Sequence, residues 1–304
     1  MTKTSEPILF FGSGPVAAES LRLLNENFTI EGVVTKPRAA HHKGDVPVLT
    51  LAEKLDLPIQ TASTMAELDA LFAQKPFTSR LAILIDFGII VSQDVIDYFP
   101  LGIINSHFSL LPEWRGADPI TFSILSGQES TGVSLMLVTA GLDEGPILSI
   151  SEYALSPTIT TPELTDNLVK LSDALLTSAI PRYISGDIKP APQTITGRKE
   201  SYSRKLNKDD GRLDWQKPAA VLEREIRAFT EWPKSRTNFG TLDVILTRAH
   251  VIDASGKPGT TAIIDKLPIV YCGAQALAID LLKPAGKKEM TGEGFLAGYK
   301  QLFL

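Results

Sequence analysis

A chain of 304 residues, 43% apolar and 21% charged, has enough hydrophobic content for one large or two ordinary globular domains and lacks the composition of a disordered polymer. No run approaches about 18 uninterrupted apolar residues, and the opening MTKTSEPILFFG has no long apolar signal core, so a soluble cytoplasmic protein is expected. The net charge of −5 hides an asymmetry: residues 1–197 carry 12 Lys/Arg and 22 Asp/Glu, residues 198–304 carry 18 and 13. That is the balance expected if one part meets a polyanion and the other does chemistry, although solvated lysines distributed by chance give the same sum.

In chain order, PILFF predicts a buried strand, GSG a tight turn, and the following PVAAESLRLLNEN a helix with Val16, Leu21 and Leu24 on its apolar side. TIEGVVT, RLAILIDFG and GIINSHF are further short runs rich in Ile, Val and Leu, separated by the helix-like TMAELDALFAQ and SQDVIDYF. Strands apolar on both faces and alternating with helices predict an α/β fold, a mostly parallel sheet covered on each side. TGVSLMLV and GPILSISEYAL add two strands joined by a tight turn, and TPELTDNLVKLSDALLTSAIPRYI a long helix. The next stretch, 185–211, is polar with Pro190 and Pro192 and reads as an exposed linker. Beyond it come an amphipathic helix, KPAAVLEREIRAFTEW, and five short strand-like runs, SRTNF, LDVILTRAHVI, GTTAIID, LPIVYC and ALAIDLLKP, which predict a small β-barrel. Ile226, Phe229 and Trp232, spaced i, i+3, i+6, are expected on a buried helix face. The expected division is 1–187, a linker at 188–207, and 208–304.

Three features bear on chemistry. Gly12, Gly14 and Ala17 have the spacing of a dinucleotide-binding turn, but the second strand ends in Lys36 and Arg38 where a ribose-binding acid is needed. A tight turn with close strand–helix packing accounts for the glycines equally well. The lone Cys272 can form neither an intrachain disulfide nor a cysteine-rich zinc site, as expected in a reducing compartment. Asn105 and His107, at i and i+2 near a strand end, share a face, and Asp143 lies in a glycine-rich turn between two predicted strands. Ligands in open α/β sheets sit outside the carboxyl ends of strands, so these three can meet there. No Ser–His or Cys–His pair offers a nucleophile for a covalent route.

INSHFSLLPEWRGADPI, with TGVSLMLVTAGLDEGPIL behind it, resembles the signature of the 10-formyltetrahydrofolate-dependent formyltransferases. SYSRKLNKDDGRLDW, EIRAFTEWP and LLKPAGKKEMTGEGFL are similar to the second domain of the methionyl-tRNA formyltransferases, and the resemblance extends from about Ile8 to Tyr299. It implies a Rossmann-like catalytic domain followed by an OB-like domain that helps to hold initiator methionyl-tRNA. It implies 10-formyltetrahydrofolate as the formyl donor and no metal, and a cytoplasmic monomer is expected. The catalytic residues implied are Asn105, His107 and Asp143.

The donor site implied comprises Ser109, Leu110, Leu111 and Pro112, with backbone around Asp86, Phe87, Gly88, Ala140, Gly141 and Leu142. Asp86 and Asp118 depart from the alanines common in relatives, which draws attention to folate binding. The loop at 35–49, shorter than usual, implies tRNA contacts from Arg38 and Lys43, with Lys36 beside them. Lys199, Arg204, Lys205, Lys208, Lys287 and Lys288 are further phosphate-tracking candidates. Two alternatives share parts of this pattern: a formyltransferase for a nucleotide-sugar amine, and an RNA-binding module without catalysis.

Overall fold

The computed structural model describes residues 4–38 and 46–303. They form two compact units, Met1–Pro119 with Ser130–Ala154 and Thr165–Ser203, and Ile120–Glu129 with Leu155–Leu164 and Arg204–Leu304. The boundary thus falls at Ser203/Arg204, and two short excursions, around 120–129 and 155–164, are assigned with the second unit.

In chain order the elements are β1 (Thr4–Phe11), α1 (Pro15–Asn27), β2 (Phe28–Thr35), α2 (Pro47–Lys54), β3 (Ile59–Thr61), α3 (Met65–Ala73), β4 (Leu81–Leu84), α4 (Gln93–Asp97) and β5 (Ile103–His107). β6 (Arg115–Gly116), α5 (Pro119–Ser126), β7 (Ser130–Leu137), β8 (Ile147–Ala154), α6 (Thr161–Ile184) and β9 (Tyr202–Ser203) follow. The first unit carries a seven-stranded sheet of order β3-β2-β1-β4-β5-β7-β8. The ladders β1–β2, β2–β3, β1–β4 and β4–β5 are parallel, whereas β7 runs antiparallel to β5 and β8 to β7. Leu9, Phe11, Val34, Ala82 and Ile103 from the strands pack on Leu68, Phe72 and Val95 from α3 and α4. Phe11 stacks on Phe72 at 5.7 Å between ring centroids and meets Phe87 edge-on at 5.3 Å. Helix α3 begins where the Thr64 hydroxyl caps Glu67 N, and α4 where the Ser92 hydroxyl caps Val95 N.

The stretch at 185–211 is not a free linker. Gln193 and Ser203 are buried, at 6% and 7% exposure, and β9 pairs in parallel with β6 through Arg115↔Tyr202 and Gly116↔Ser203. A polar composition signals solvent only when backbone and side chains find no protein partner, and here they do.

The second unit contains α7 (Ala219–Ala228), β10 (Ser235–Phe239), β11 (Leu242–Ile252), β12 (Thr261–Ile264), β13 (Leu267–Tyr271), β14 (Ala276–Pro284), β15 (Met290–Thr291) and α8 (Gly292–Tyr299). Its six-stranded sheet, β10-β11-β14-β13-β12 with β15 on β14, is antiparallel throughout. Leu222 and Ile226 of α7 pack with Leu246, Leu277, Ile279, Leu282, Phe295 and Phe303. The small β domain expected after residue 207 is this sheet. Ile226 and Phe229 are buried as expected, but Trp232 is 54% exposed. The helix stops at Ala228, and Pro233 bars helical backbone at Trp232, so the i+6 position no longer follows the helix face.

Candidate active site

The first five strands run parallel, and the carboxyl ends of β1, β4 and β5 open onto one rim. Asn105 and His107 lie on β5, 9% and 6% exposed, and their alternation places both side chains on the same face. Asp143 occupies the turn between β7 and β8 at φ 51°, a left-handed conformation that Asp tolerates better than most residues. Because β7 pairs with β5 through Asn105↔Met136 and His107↔Ser134, that turn is delivered to the end of β5.

The three side chains converge. Asn105 Nδ2 donates to Asp143 Oδ1 at 3.3 Å, and the amide orientation follows because an ionised carboxylate only accepts. Asp143 Oδ2 accepts from Gly116 N at 2.8 Å and stands 3.8 Å from His107 Nδ1. His107 Nε2 lies 2.9 Å from Trp114 O. A carbonyl cannot donate, so Nε2 carries the hydrogen and Nδ1 is the ring atom free to exchange a proton.

The residues expected around a donor fall into two sets. Ser109, Leu110 and Leu111 are buried, at 0%, 1% and 0% exposure, and Pro112 is buried with them. Their polar groups are spent internally. The Ser109 hydroxyl donates to Glu113 O, Ser134 Oγ donates to Ser109 O at 2.7 Å, and Leu111 N donates to Ser134 Oγ at 3.0 Å. Leu111 packs against Met136 and Ile147. Phe87 is likewise buried, at 2% exposure, inside the aromatic cluster. In contrast Asp86, Gly88 and Ala140 are exposed, Gly141 is partly exposed, and Leu142 presents 63% of its surface. Of the residues expected at the donor, the exposed ones thus lie in the turn after β4 and the turn before Asp143, and residues 109–112 are buried.

Asp86 sits in a built niche. Gly14 has φ −84°, which any residue can adopt, but a Cβ there would meet Asp86 Oδ2 at 1.9 Å. Ser13 N donates to Asp86 O at 3.0 Å. Burial of the Asp86 carboxyl among surrounding atoms raises its pKa to about 6; the Lys36 ammonium opposes that rise and Asp118 adds to it. Asp86 retains solvent-accessible surface, so the shift reflects local crowding rather than full enclosure. Lys36, expected beside the tRNA-facing loop, donates to Gly88 O at 3.0 Å. Gly12 is where close packing rules: a Cβ would lie 2.6 Å from both Ala17 Cβ and a ring carbon of Phe10. The glycine turn is accounted for by this packing and by Asp86, without a dinucleotide.

Two residues that the sequence did not single out support this site. Arg115, 5% exposed, lies between Trp114 and Gly116, and Gln193 bridges it to the Asp143 turn. A buried arginine and a buried glutamine have no sequence signature of their own.

Arg38 is exposed, and Lys43 lies outside the described residues. Lys199, Lys205, Lys208, Lys287 and Lys288 are exposed, whereas Arg204 is committed to Asp210 through 2.7 and 2.6 Å bonds and lies over the Phe122 ring. In the second unit a cavity of about 800 Å³ is lined by Lys208, Arg212, Arg236 and Lys283, with Asp209 and Asp243 beside them. Among the described residues no group of three or more His, Cys, Asp or Glu side chains could hold a metal ion, and no helix is long and apolar enough to cross a membrane.

Fold and site together define a formyl-transferring protein: the Formyl transferase family matches residues 9–180, and the Formyl transferase, C-terminal domain family matches 205–300. In fold the chain is similar to WlaRD, a sugar 3N-formyl transferase solved in the presence of dTDP and 5-N-formyl-THF, with TM-score 0.68 at 18% identity, covering 94% of this chain and 100% of that one. It is also similar to HypX from Aquifex aeolicus in complex with tetrahydrofolic acid, with TM-score 0.65 at 15% identity, covering 96% of this chain and 47% of that one. More specifically, the chain belongs to the methionyl-tRNA formyltransferase family. It is 35% identical over 298 residues to Methionyl-tRNA formyltransferase of Myxococcus xanthus (strain DK1622), covering 96% of this chain and 95% of the relative. It is 35% identical over 301 residues to that of Pseudoalteromonas translucida (strain TAC 125), covering 96% and 93%.

Proposed function

We propose that this enzyme transfers the formyl group of 10-formyltetrahydrofolate to the α-amine of initiator methionyl-tRNA in a single step without an acyl-enzyme. The neutral amine attacks the formyl carbon; a C–N bond forms to the amine as the bond to N10 of the donor breaks, and the amine proton ends on that nitrogen. Asn105 Nδ2 and, whenever the ring carries a proton there, His107 Nδ1 would donate to the developing oxyanion, and donors of this kind act on charge that appears only on the way to the transition state. Asp143, within 3.8 Å of Nδ1, balances the imidazolium and assists its proton exchange. The convergence of Asn105, His107 and Asp143 on one small volume carries this reading.

The open surface of Asp86, Gly88, Gly141 and Leu142 suits a planar ring that is recognised largely by backbone groups, with residues 109–112 and Phe87 holding the wall in place. Arg38, Lys43 and the exposed lysines supply contacts to tRNA phosphates, which position without reading sequence. The buried thiol of Cys272 accords with the cytoplasm, and the enzyme is taken to act as a monomer there.

The test offers purified protein, labelled formyl donor and two acceptors, charged initiator tRNA and a nucleotide-sugar amine. Label on the tRNA-borne methionine is expected. Label on the sugar amine alone would replace the acceptor assignment, and label on neither would end the reading.

A further inference from the structure

Gln193 lies in the polar stretch, yet it is 6% exposed and every hydrogen-bonding valence of its amide is used. Its Oε1 accepts from Arg115 Nε at 3.2 Å and from Arg115 Nη2 at 2.8 Å. Its Nε2 donates to Asp143 O at 2.7 Å and to Gly145 O at 3.0 Å. Two donors and two acceptor sites are all that a side-chain amide has. One end of this amide therefore holds the left-handed backbone at Asp143, and the other holds Arg115.

Arg115 is the residue between the two backbone groups that fix the catalytic side chains: Trp114 O faces His107 Nε2, and Gly116 N donates to Asp143 Oδ2. The Arg115 guanidinium is anchored further by Tyr202 Oη at 3.3 Å and Glu200 at 3.3 Å. The segment that follows Gln193 is tied to the same stretch, since Arg115 N donates to Ser201 O at 2.9 Å and Trp114 N to Ser201 Oγ at 2.9 Å. The two turns that must stay in register for Asn105, His107 and Asp143 to share one target are thus joined by this neutral amide, beside the direct Gly116 N to Asp143 Oδ2 bond and the Arg115–Glu144 ion pair at 3.7 Å.

We propose that Gln193 is a positioning residue for formyl transfer, bracing the Asp143 turn against the 114–116 segment so that carboxylate and imidazole keep their mutual geometry. The proposal rests on the roles given above to His107 and Asp143. The amide touches neither reactant; it acts through the backbone on both sides of the pair. Misplacing catalytic groups by about 1 Å costs on the order of a hundredfold in rate, so the effect belongs in kcat rather than in binding.

The experiment uses the full chain and two variants. Q193M keeps the length of the side chain and removes all four hydrogen bonds. Q193E keeps acceptors for Arg115 but, when ionised, faces Asp143 O and Gly145 O with no donor. Q193M is expected to lower kcat by roughly ten- to a hundredfold with both KM values within about threefold. For Q193E, activity relative to wild type is expected to recover as pH falls and the new carboxyl gains a proton to donate. Hydrogen exchange over 114–116 and 141–145, read by mass spectrometry, needs no substrate and is expected to quicken in Q193M. A kcat within twofold of wild type, or a Q193E deficit that ignores pH and tracks only thermal unfolding, would overturn the proposal. Unchanged exchange would overturn it even if the wild type formylates neither acceptor, an outcome that would refute the assigned activity separately.

Discussion

Asp143→Asn isolates the charge of the central carboxylate with almost no change in shape. Asp143 accepts from Asn105 Nδ2 at 3.3 Å and from Gly116 N at 2.8 Å, and it faces His107 Nδ1 at 3.8 Å. An amide can satisfy only one of those two donors. If its oxygen turns to Gly116, its NH2 confronts the NH2 of Asn105; if it turns to Asn105, the Gly116 N–H is left opposing another donor. Leaving a buried donor unsatisfied costs about 1–3 kcal/mol. The Coulomb attraction between an imidazolium and a carboxylate about 4 Å apart is about 4 kcal/mol at an effective dielectric of about 20, and only the part realised as the ring gains charge affects the rate. The unpaired donor lowers stability in ground and transition states alike, so the charge alone sets the loss in kcat, at up to about 4 kcal/mol or roughly three decades at about 1.4 kcal/mol per decade. The assay is single-turnover formylation of charged initiator tRNA at saturating donor, with thermal unfolding as a check on folding. A rate within threefold of wild type in a folded variant would refute the electrostatic role.

Three further outcomes follow from the same geometry. Because burial raises the Asp86 pKa to about 6, the folded state binds this proton more tightly than the unfolded chain does; the stability linked to it is present at acid pH and lost as pH rises through about 6. Asp86→Asn should therefore melt higher than wild type at pH 7.5, with the gap closing as pH falls from about 6 to the ordinary carboxylate value of 3.8; a gap independent of pH would exclude Asp86 as its source. Gly14→Ala should cost no more than about 1 kcal/mol, since its Cβ would meet Asp86 Oδ2 at 1.9 Å and turn that carboxylate away, and Asp86→Ala in the same chain should remove the cost; equal costs in both backgrounds, read from denaturant melts, would contradict the niche. Arg38→Ala should weaken apparent tRNA affinity and lower the salt slope by about one, with donor KM unchanged; an unaltered slope would remove Arg38 from the tRNA surface.

The central strands were legible because parallel strands are apolar on both faces, and LAIL and IINSH can bury themselves no other way. The three-residue edge strand β3 has too little sequence to show a period. Helix α5, PITFSILS, lacks the polar stripe by which an amphipathic helix is read. Asn105, His107 and Asp143 could be brought together on paper because strand alternation and a turn between neighbouring strands constrain their positions. What holds them could not: Arg115 and Gln193 are identical in composition to solvated side chains, and only the tertiary path of residues 193–203 across the 114–116 segment buries them. The hydrogen bond of Lys36 was hidden for a related reason, since a lysine at the end of a strand has reach enough to turn inward to Gly88 O as readily as outward to a loop.

In the mechanism proposed above, an amide, an imidazole and a carboxylate act as one unit on one carbon. The most direct test is the pair of single-turnover rates for Asn105→Ala and Asp143→Asn beside their double variant. Groups working as a unit predict a double variant scarcely slower than the slower single one. Losses that multiply, or single variants as fast as wild type, would contradict it.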